Sequence, residues 1–246
     1  MKKFELTTES ITNALGKKLF RIKALVEFGD VKAGELGGYV EKEENVSQDG
    51  NAWVCDNAEV YDNAKVSGNA WVYGDAKVSG NAWVYGDAKV FDNAKVYDNA
   101  WVYGDAKVSG NAWVYGDAKV FDNAKVYDNA RVADNAKVFG RAWVFGNARV
   151  SGDALISGNA KVSGDARVFG DADYALVQGF GIKFRCTTFY RDKNKKIMVN
   201  CGCFHGDLEA FRKQVKETRS GKIAKEYLMI ADLMEYHFVS EDSGDE

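Results

Sequence analysis

The chain has no proline, two histidines and four cysteines among 246 residues. Average usage would supply about 12 prolines. Their absence suits a ladder in which nearly every backbone amide must donate. Four cysteines over this length do not make a disulfide framework. No apolar run approaches the roughly 20 residues that cross a bilayer, so no membrane is expected as a partner. No basic segment followed by an apolar one opens the chain, so no secretion signal is expected, and the cytoplasm is the expected compartment. With 33 Lys and Arg against 36 Asp and Glu, the net charge of −3 disfavours nucleic acid as a partner.

What is present is a six-residue phrase repeated without a break from Gly50 to Ala172. Alanine recurs at every sixth position from Ala52 to Ala172, 21 times. Valine fills the matching positions from Val54 to Val168, with only Ile156 departing. Alanine and valine stand two apart, so in an extended segment they point to one side. Trp, Lys or Arg usually stands between them, and Tyr, Phe or Ser usually follows the valine. The remaining two positions are turn chemistry: Gly or Asp first, then Asn or Asp except at Arg141. Each hexad therefore reads as a short strand plus a corner, and a fixed short period of this kind means a solenoid. Three sides are the fewest that enclose a core, which gives 18 residues per coil. A helix is excluded because the alternation has period two.

Valine at i with alanine at i+4 resembles the hexapeptide-repeat, left-handed parallel β-helix family. The resemblance implies a left-handed coil with a triangular cross-section; the hand comes from the family and not from the period. The expected fold is an all-β solenoid with a small α+β C-terminal domain. Its expected divisions are 1–49, an N-terminal cap and first irregular coil; 50–173, the hexapeptide-repeat β-helix; and 174–246, a small α+β domain with an acidic tail.

Residues 71–100 and 101–130 are identical. Thirty residues is five hexads, not a whole number of three-hexad coils, so the second copy should land on rotated faces. Such a rotation scrambles any pocket that needs particular residues on one face, and it favours a spacer or a repetitive surface.

Two surfaces follow from a period of 18. Lys77, Lys95, Arg131, Arg149 and Arg167 should line one face, interrupted by Trp113. They are candidates for a small anionic ligand, although residues 50–172 carry 15 acids against 13 bases. Tyr85, Tyr103, Phe121 and Phe139 should form a column flanked by Trp83 and Trp101. These six are the candidate partner-binding residues. All six tryptophans occupy the outward position; stacked rings stabilise neighbouring rungs, which is one reading of these columns, and so much aromatic surface also points to self-association or a partner protein.

The ends differ in kind. Lys18 to Val26 reads as a strand, and Asp30 to Val40 leads into the first coil, with Gly37-Gly38 read as a bend. No Gly-Lys-Ser or Gly-Lys-Thr follows that pair, so it is not a phosphate loop. Near the C-terminus, Lys183 to Tyr190 and Lys196 to Phe204 alternate like strands around the turn Asp192 to Lys195. Asp207 reads as the N-cap of a helix burying Leu208, Phe211 and Val215. After Ser220-Gly221, a second helix should bury Ile223, Tyr227, Ile230, Ala231 and Met234. Ser240 to Glu246 is an acidic tail.

One constellation carries chemistry: Cys201-Gly-Cys203-Phe-His205, with Cys186 across a hairpin whose paired positions sum to about 387. Three thiols and an imidazole can hold zinc, but Cys-x-Cys is an uncommon zinc spacing and free cysteines are ordinary in strands. The four residues stay weak candidates, with no metal and no cofactor expected.

The cap, the Asn/Asp-Ala hexads and the Cys-Gly-Cys-Phe tail together resemble a group of uncharacterised phage and prophage proteins. That resemblance implies a phage or prophage origin and a host bacterial cytoplasm; it carries no reaction. The expected function is a non-enzymatic binding or scaffold module, with a host factor as its candidate partner and the C-terminal unit carrying partner specificity. A homo-oligomer is expected, a trimer first, because the hexapeptide family often forms trimers. One alternative is capture of a small anionic metabolite or host-defence signal between subunits. The other is a hexapeptide-type acyltransferase. Those enzymes use a histidine base, and here both histidines, His205 and His237, lie outside the repeat.

Overall fold

The structure is a computed structural model that describes residues 2–181 and 185–239. Its centre is a parallel β-solenoid of about seven coils. Twenty two-residue strands, β4 (Trp53–Val54) to β23 (Arg167–Val168), stack with an 18-residue period into three sheets. Face A starts at Trp53 and runs through Trp71, Lys89, Lys107, Lys125 and Trp143 to Lys161. Face B starts at Glu59, in β5 (Glu59–Val60), and runs through Lys77, Lys95, Trp113, Arg131 and Arg149 to Arg167. Face C starts at Lys65 and runs through Trp83, Trp101, Lys119 and Lys137 to Leu155.

Every repeat alanine and valine from Ala52 to Val168, with Ile156, is buried, so the interior is a column of small side chains. At the corners, the Gly-or-Asp position takes a left-handed conformation, as at Gly104 (φ 67°) and Asp122 (φ 57°). A Cβ on Gly104 would lie 2.9 Å from the Asp122 amide nitrogen, so glycine supplies clearance as well as backbone freedom. Where Asp takes the position, its carboxylate accepts from the Gly N–H one coil on, as from Gly140 to Asp122 at 3.1 Å. Corner asparagines form amide ladders, for example Asn81 Nδ2 to Asn99 Oδ1 at 3.0 Å.

The N-terminal segment extends face B with β1 (Phe4–Thr12), β2 (Lys18–Ala24) and β3 (Leu36–Val40), in the order β1-β2-β3-β5. The strand expected from Lys18 is β2; β1 has no counterpart in the sequence reading. Gly37-Gly38, expected to form a bend, lies wholly inside β3. A Cβ there would meet Ile22 Cγ1 at 2.5 Å (from Gly37) or the Ala58 carbonyl oxygen at 2.7 Å (from Gly38), so the pair exists for close approach. The cap covers Trp53 completely, edge-on to Phe4 and Phe28, and nearly buries Tyr61. Two of the outward aromatics are therefore core.

The C-terminal unit is a four-stranded antiparallel sheet, β24 (Tyr174–Phe180), β25 (Arg185–Arg191), β26 (Ile197–Cys201) and β27 (Phe204–Asp207), followed by α1 (Leu208–Thr218) and α2 (Gly221–Val239). One sheet face seats Tyr174, Leu176, Tyr190 and Met198 on the end of the rod. The other face, with Phe189 and Val199, packs on Leu208, Phe211, Val215, Tyr227, Ile230, Ala231 and Met234 of the helices. Asp207 caps α1, its carboxylate accepting from Ala210 N at 2.8 Å. Lys183 and the acidic tail Ser240 to Glu246 lie outside the described residues.

Candidate functional site

Candidate sites on a rod are columns, because each outward residue sits beside its equivalents one coil away. On face C the expected column is present. Tyr85, Tyr103, Phe121 and Phe139 stack with ring centroids 4.8, 4.9 and 5.0 Å apart, nearly parallel. Trp83 and Trp101 stack beside them at 5.6 Å, and Trp83 stands edge-on to Tyr85 at 6.1 Å. The six candidate residues thus form one strip two side chains wide. Burial in the stack pushes the Tyr85 hydroxyl pKa up. The Tyr103 hydroxyl shifts the same way, first through burial and then through the Tyr85 hydroxyl and Asp122.

The expected basic column also lies on one face, B, and its members are mostly engaged. Lys77 is bonded to Glu59 at 2.8 Å. Lys95 and Arg131 lie 4.9 and 4.7 Å from the Trp113 ring, so the residue that interrupts the stripe holds its neighbours in place. Arg167 donates to the carbonyl oxygens of Asn147, Asp165 and Ala166. Arg149 alone of the five has no side-chain hydrogen bond, ion pair or ring contact among the described residues.

The same pairing covers tryptophans elsewhere. Lys65 lies over Trp83, Lys119 over Trp101, and Lys125 and Lys161 over Trp143, at 4.7–5.4 Å. Of the eighteen outward aromatics in the repeat, only Trp83 (40%) and Phe169 (58%) are exposed. The open aromatic surface is smaller than the sequence suggested, because stacking and cations shield the rings. Sequence reasoning expected the stacks but treated charge and aromatics as separate features and missed the cations. The 18-residue spacing of Lys or Arg to Trp was the available signal.

The cysteine and histidine cluster is not assembled. Gly202 turns left-handed (φ 64°), ending β26 at Cys201 and starting a new hairpin strand at Phe204. Strand β25 pairs with β26 so that Cys201 faces Thr187, one residue out of the expected register, and Thr187 Oγ1 lies 3.2 Å from Cys201 Sγ. Cys203 is exposed at the turn. His205 Nε2 lies 3.1 Å from the Tyr190 hydroxyl, against the rod end. Cys201 instead packs with the helix-side cluster. Burial pushes the Cys186 thiol pKa up. Among the described residues, no three His, Cys, Asp or Glu side chains gather in a metal-binding arrangement.

His205 belongs instead to a network that closes the rod. Lys161 N donates to Thr188 Oγ1 at 3.0 Å, and Asn200 Nδ2 lies 2.7 Å from the Lys161 carbonyl oxygen. Ser163, Tyr190 and Asn200 complete it. At the other end, Lys3 Nζ donates to the carbonyl oxygens of Gly50 and Ala52, and Asn45 Nδ2 donates to those of Asp62 and Ala64. Side chains thus satisfy backbone groups that a further coil would have paired.

The C-terminal unit also carries an apolar strip outside the sequence-predicted sites. Met229, Leu233 and Tyr236, on the outer side of α2, are 61%, 58% and 73% exposed. Their spacing of four and three was legible, but only the inner stripe of the helix stood out in the sequence.

Fold and faces together define a three-sided parallel β-solenoid closed at both ends by its own terminal segments. No protein-family model matches the chain, and no curated protein sequence matches it. No helix among the described residues is long and apolar enough to cross a membrane.

Proposed function

We propose that this protein is a non-enzymatic binding or scaffold module, a rigid rod that presents the aromatic strip of face C to another protein. The resemblance of its cap, hexads and Cys-Gly-Cys-Phe tail to phage and prophage proteins supports a phage or prophage accessory role in the host bacterial cytoplasm. The observation that carries the reading is the unbroken stack Tyr85–Tyr103–Phe121–Phe139 beside Trp83 and Trp101. A flat aromatic strip fixed by the backbone loses little entropy on binding, and large rigid rings dominate protein contacts. His205, tied to Tyr190 in the cap, is not placed as a free base beside an open cleft.

The test exploits a substitution that the repeat already uses. Serine occupies this column position at Ser67 and Ser157, so Tyr85→Ser with Tyr103→Ser and Phe121→Ser should keep the fold. Light scattering after gel filtration and capture of host proteins are compared between the wild type and this triple variant. A trimer that falls to monomer makes face C the self-assembly surface. An unchanged mass with lost capture makes it the host-factor surface. If mass and capture both survive, face C is not the contact.

A further inference from the structure

Face A carries a feature that neither the basic column of face B nor the aromatic strip of face C explains. A groove of about 660 Å³ runs along it, lined by Asp87, Lys89, Asp105, Lys107, Asn123, Lys125, Arg141 and Trp143. Lys89, Lys107 and Lys125 stand directly beside one another in consecutive coils. In-register neighbours are about 4.8 Å apart, and like charges placed opposite one another destabilise a sheet.

Most other cations of the rod relieve such repulsion through a carboxylate, a tryptophan ring or a carbonyl oxygen. Lys125 does so through Trp143. Lys89 and Lys107 make no such contact among the described residues. Arg141, Lys137 and Arg149 share that condition, and of these three only Arg141 lines this groove.

The corner beside the groove is altered in the same place. Arg141 is the one residue at its turn position that is neither Asn nor Asp. Most other corner asparagines among the described residues, though not Asn93 or Asn159, donate to the side chain one coil on, as Asn129 does to Asn147 and Asn147 to Asp165. Asn123 has Arg141 one coil on, which offers no acceptor, and Asn123 makes no side-chain bond among the described residues. An amide donor, a guanidinium and two unpaired ammonium groups thus border one groove. Its four cations and two carboxylates leave a net charge of +2.

We propose that face A binds a phosphate group in its dianionic form, held by Lys107, Asn123 and Arg141 with Lys89 and Lys125 alongside. The charge balances, and the guanidinium fork and amide supply directed hydrogen bonds to a tetrahedral oxyanion. The site is independent of the aromatic strip on face C.

The test is calorimetric titration of the full chain with inorganic phosphate and, separately, with glycerol 3-phosphate as a small monoester. Arg141→Asn should fold, since Asn is the usual residue at that corner, and thermal melting checks that it does. Saturable binding of the monoester is expected, with affinity reduced at least about tenfold by Arg141→Asn and by Lys107→Gln. Lys137→Gln, outside the groove, should leave affinity unchanged. Binding of both probes points to recognition of the phosphate itself, and binding of the monoester alone to a phosphorylated metabolite. Binding of inorganic phosphate alone means an adventitious ion only and overturns the proposal. So does the absence of saturable binding of either probe up to about 20 mM, wild-type affinity in Arg141→Asn or Lys107→Gln, or equal loss in all three variants.

Discussion

Lys3 shows how a single side chain closes a solenoid. Its ammonium reaches the carbonyl oxygens of Gly50 and Ala52 and lies 4.8 Å from the Phe28 ring centroid. Burial lowers its pKa to about 8, only partly offset by Asp49. Between that value and the ordinary lysine value near 10.5, the unfolded chain holds more protons than the folded one. Stability should therefore rise with pH across this window. Tyr97, pushed up to about 12 by burial, works in the opposite sense above about 10, where the unfolded phenol loses its proton first. Cys55, its thiol pushed up to about 12 by burial, works against Lys3 from about pH 9. We therefore expect the melting temperature to climb from about pH 8 to 9, to level off, and to fall above about 10. In Lys3→Met the climb should disappear while the fall remains. An identical climb in Lys3→Met would assign it to another group.

The C-terminal sheet is the element to whose expected role the structure adds most. Its sequence reads as a small α+β domain, with partner specificity expected of it. In the fold, one face of that sheet covers the last coil, and Tyr190 belongs to the same core as the repeat valines. What it leaves free is the outer side of α2, with Met229, Leu233 and Tyr236. Asn200 is central to the closure: it is nearly buried, and its amide reaches the Lys161 carbonyl oxygen, Ser163 Oγ and the Tyr190 hydroxyl. Asn200→Ala removes those donors without opening a large cavity. It should cost about 1–3 kcal/mol in denaturant unfolding, the penalty for leaving buried polar groups unpaired. A loss below a few tenths of a kcal/mol would mean that water replaces the amide.

For the whole molecule, the out-of-phase duplication is decisive. Trp71 lies on face A and its copy Trp101 on face C; Tyr85 lies on face C and its copy Tyr115 follows the face B strand. The stack on face C therefore joins Tyr85 from the first copy to Tyr103 and Phe121 from the second. Deleting residues 101–130 should leave a folded, shorter rod, because solenoid contacts are nearest-neighbour. It would also bring Ala133 and Ser151 into the places of Tyr103 and Phe121. We expect cooperative melting and an intact β signal in circular dichroism, together with loss of whatever binding face C mediates. Failure to fold would show that the rod needs more than nearest-neighbour contacts.

The hexad period by itself determined the coil length, the three faces, the valine-alanine interior and the membership of the aromatic and basic columns. It could do so because a rod of identical rungs places each residue beside the one 18 positions away, making tertiary neighbours a matter of counting. The helices after Asp207 were legible for a similar reason, since a cap and a 3.6-residue stripe are local signals. The closure of the ends, the division of Cys201 and His205 between two sides of a sheet, and the burial of Trp53 were not. Each depends on how a non-repeating segment folds back over the rod, and no period encodes that. The same holds for the groove on face A. Sequence gives the charges and their columns, but only the packed structure decides which cations find a ring or a carboxylate and which are left without one.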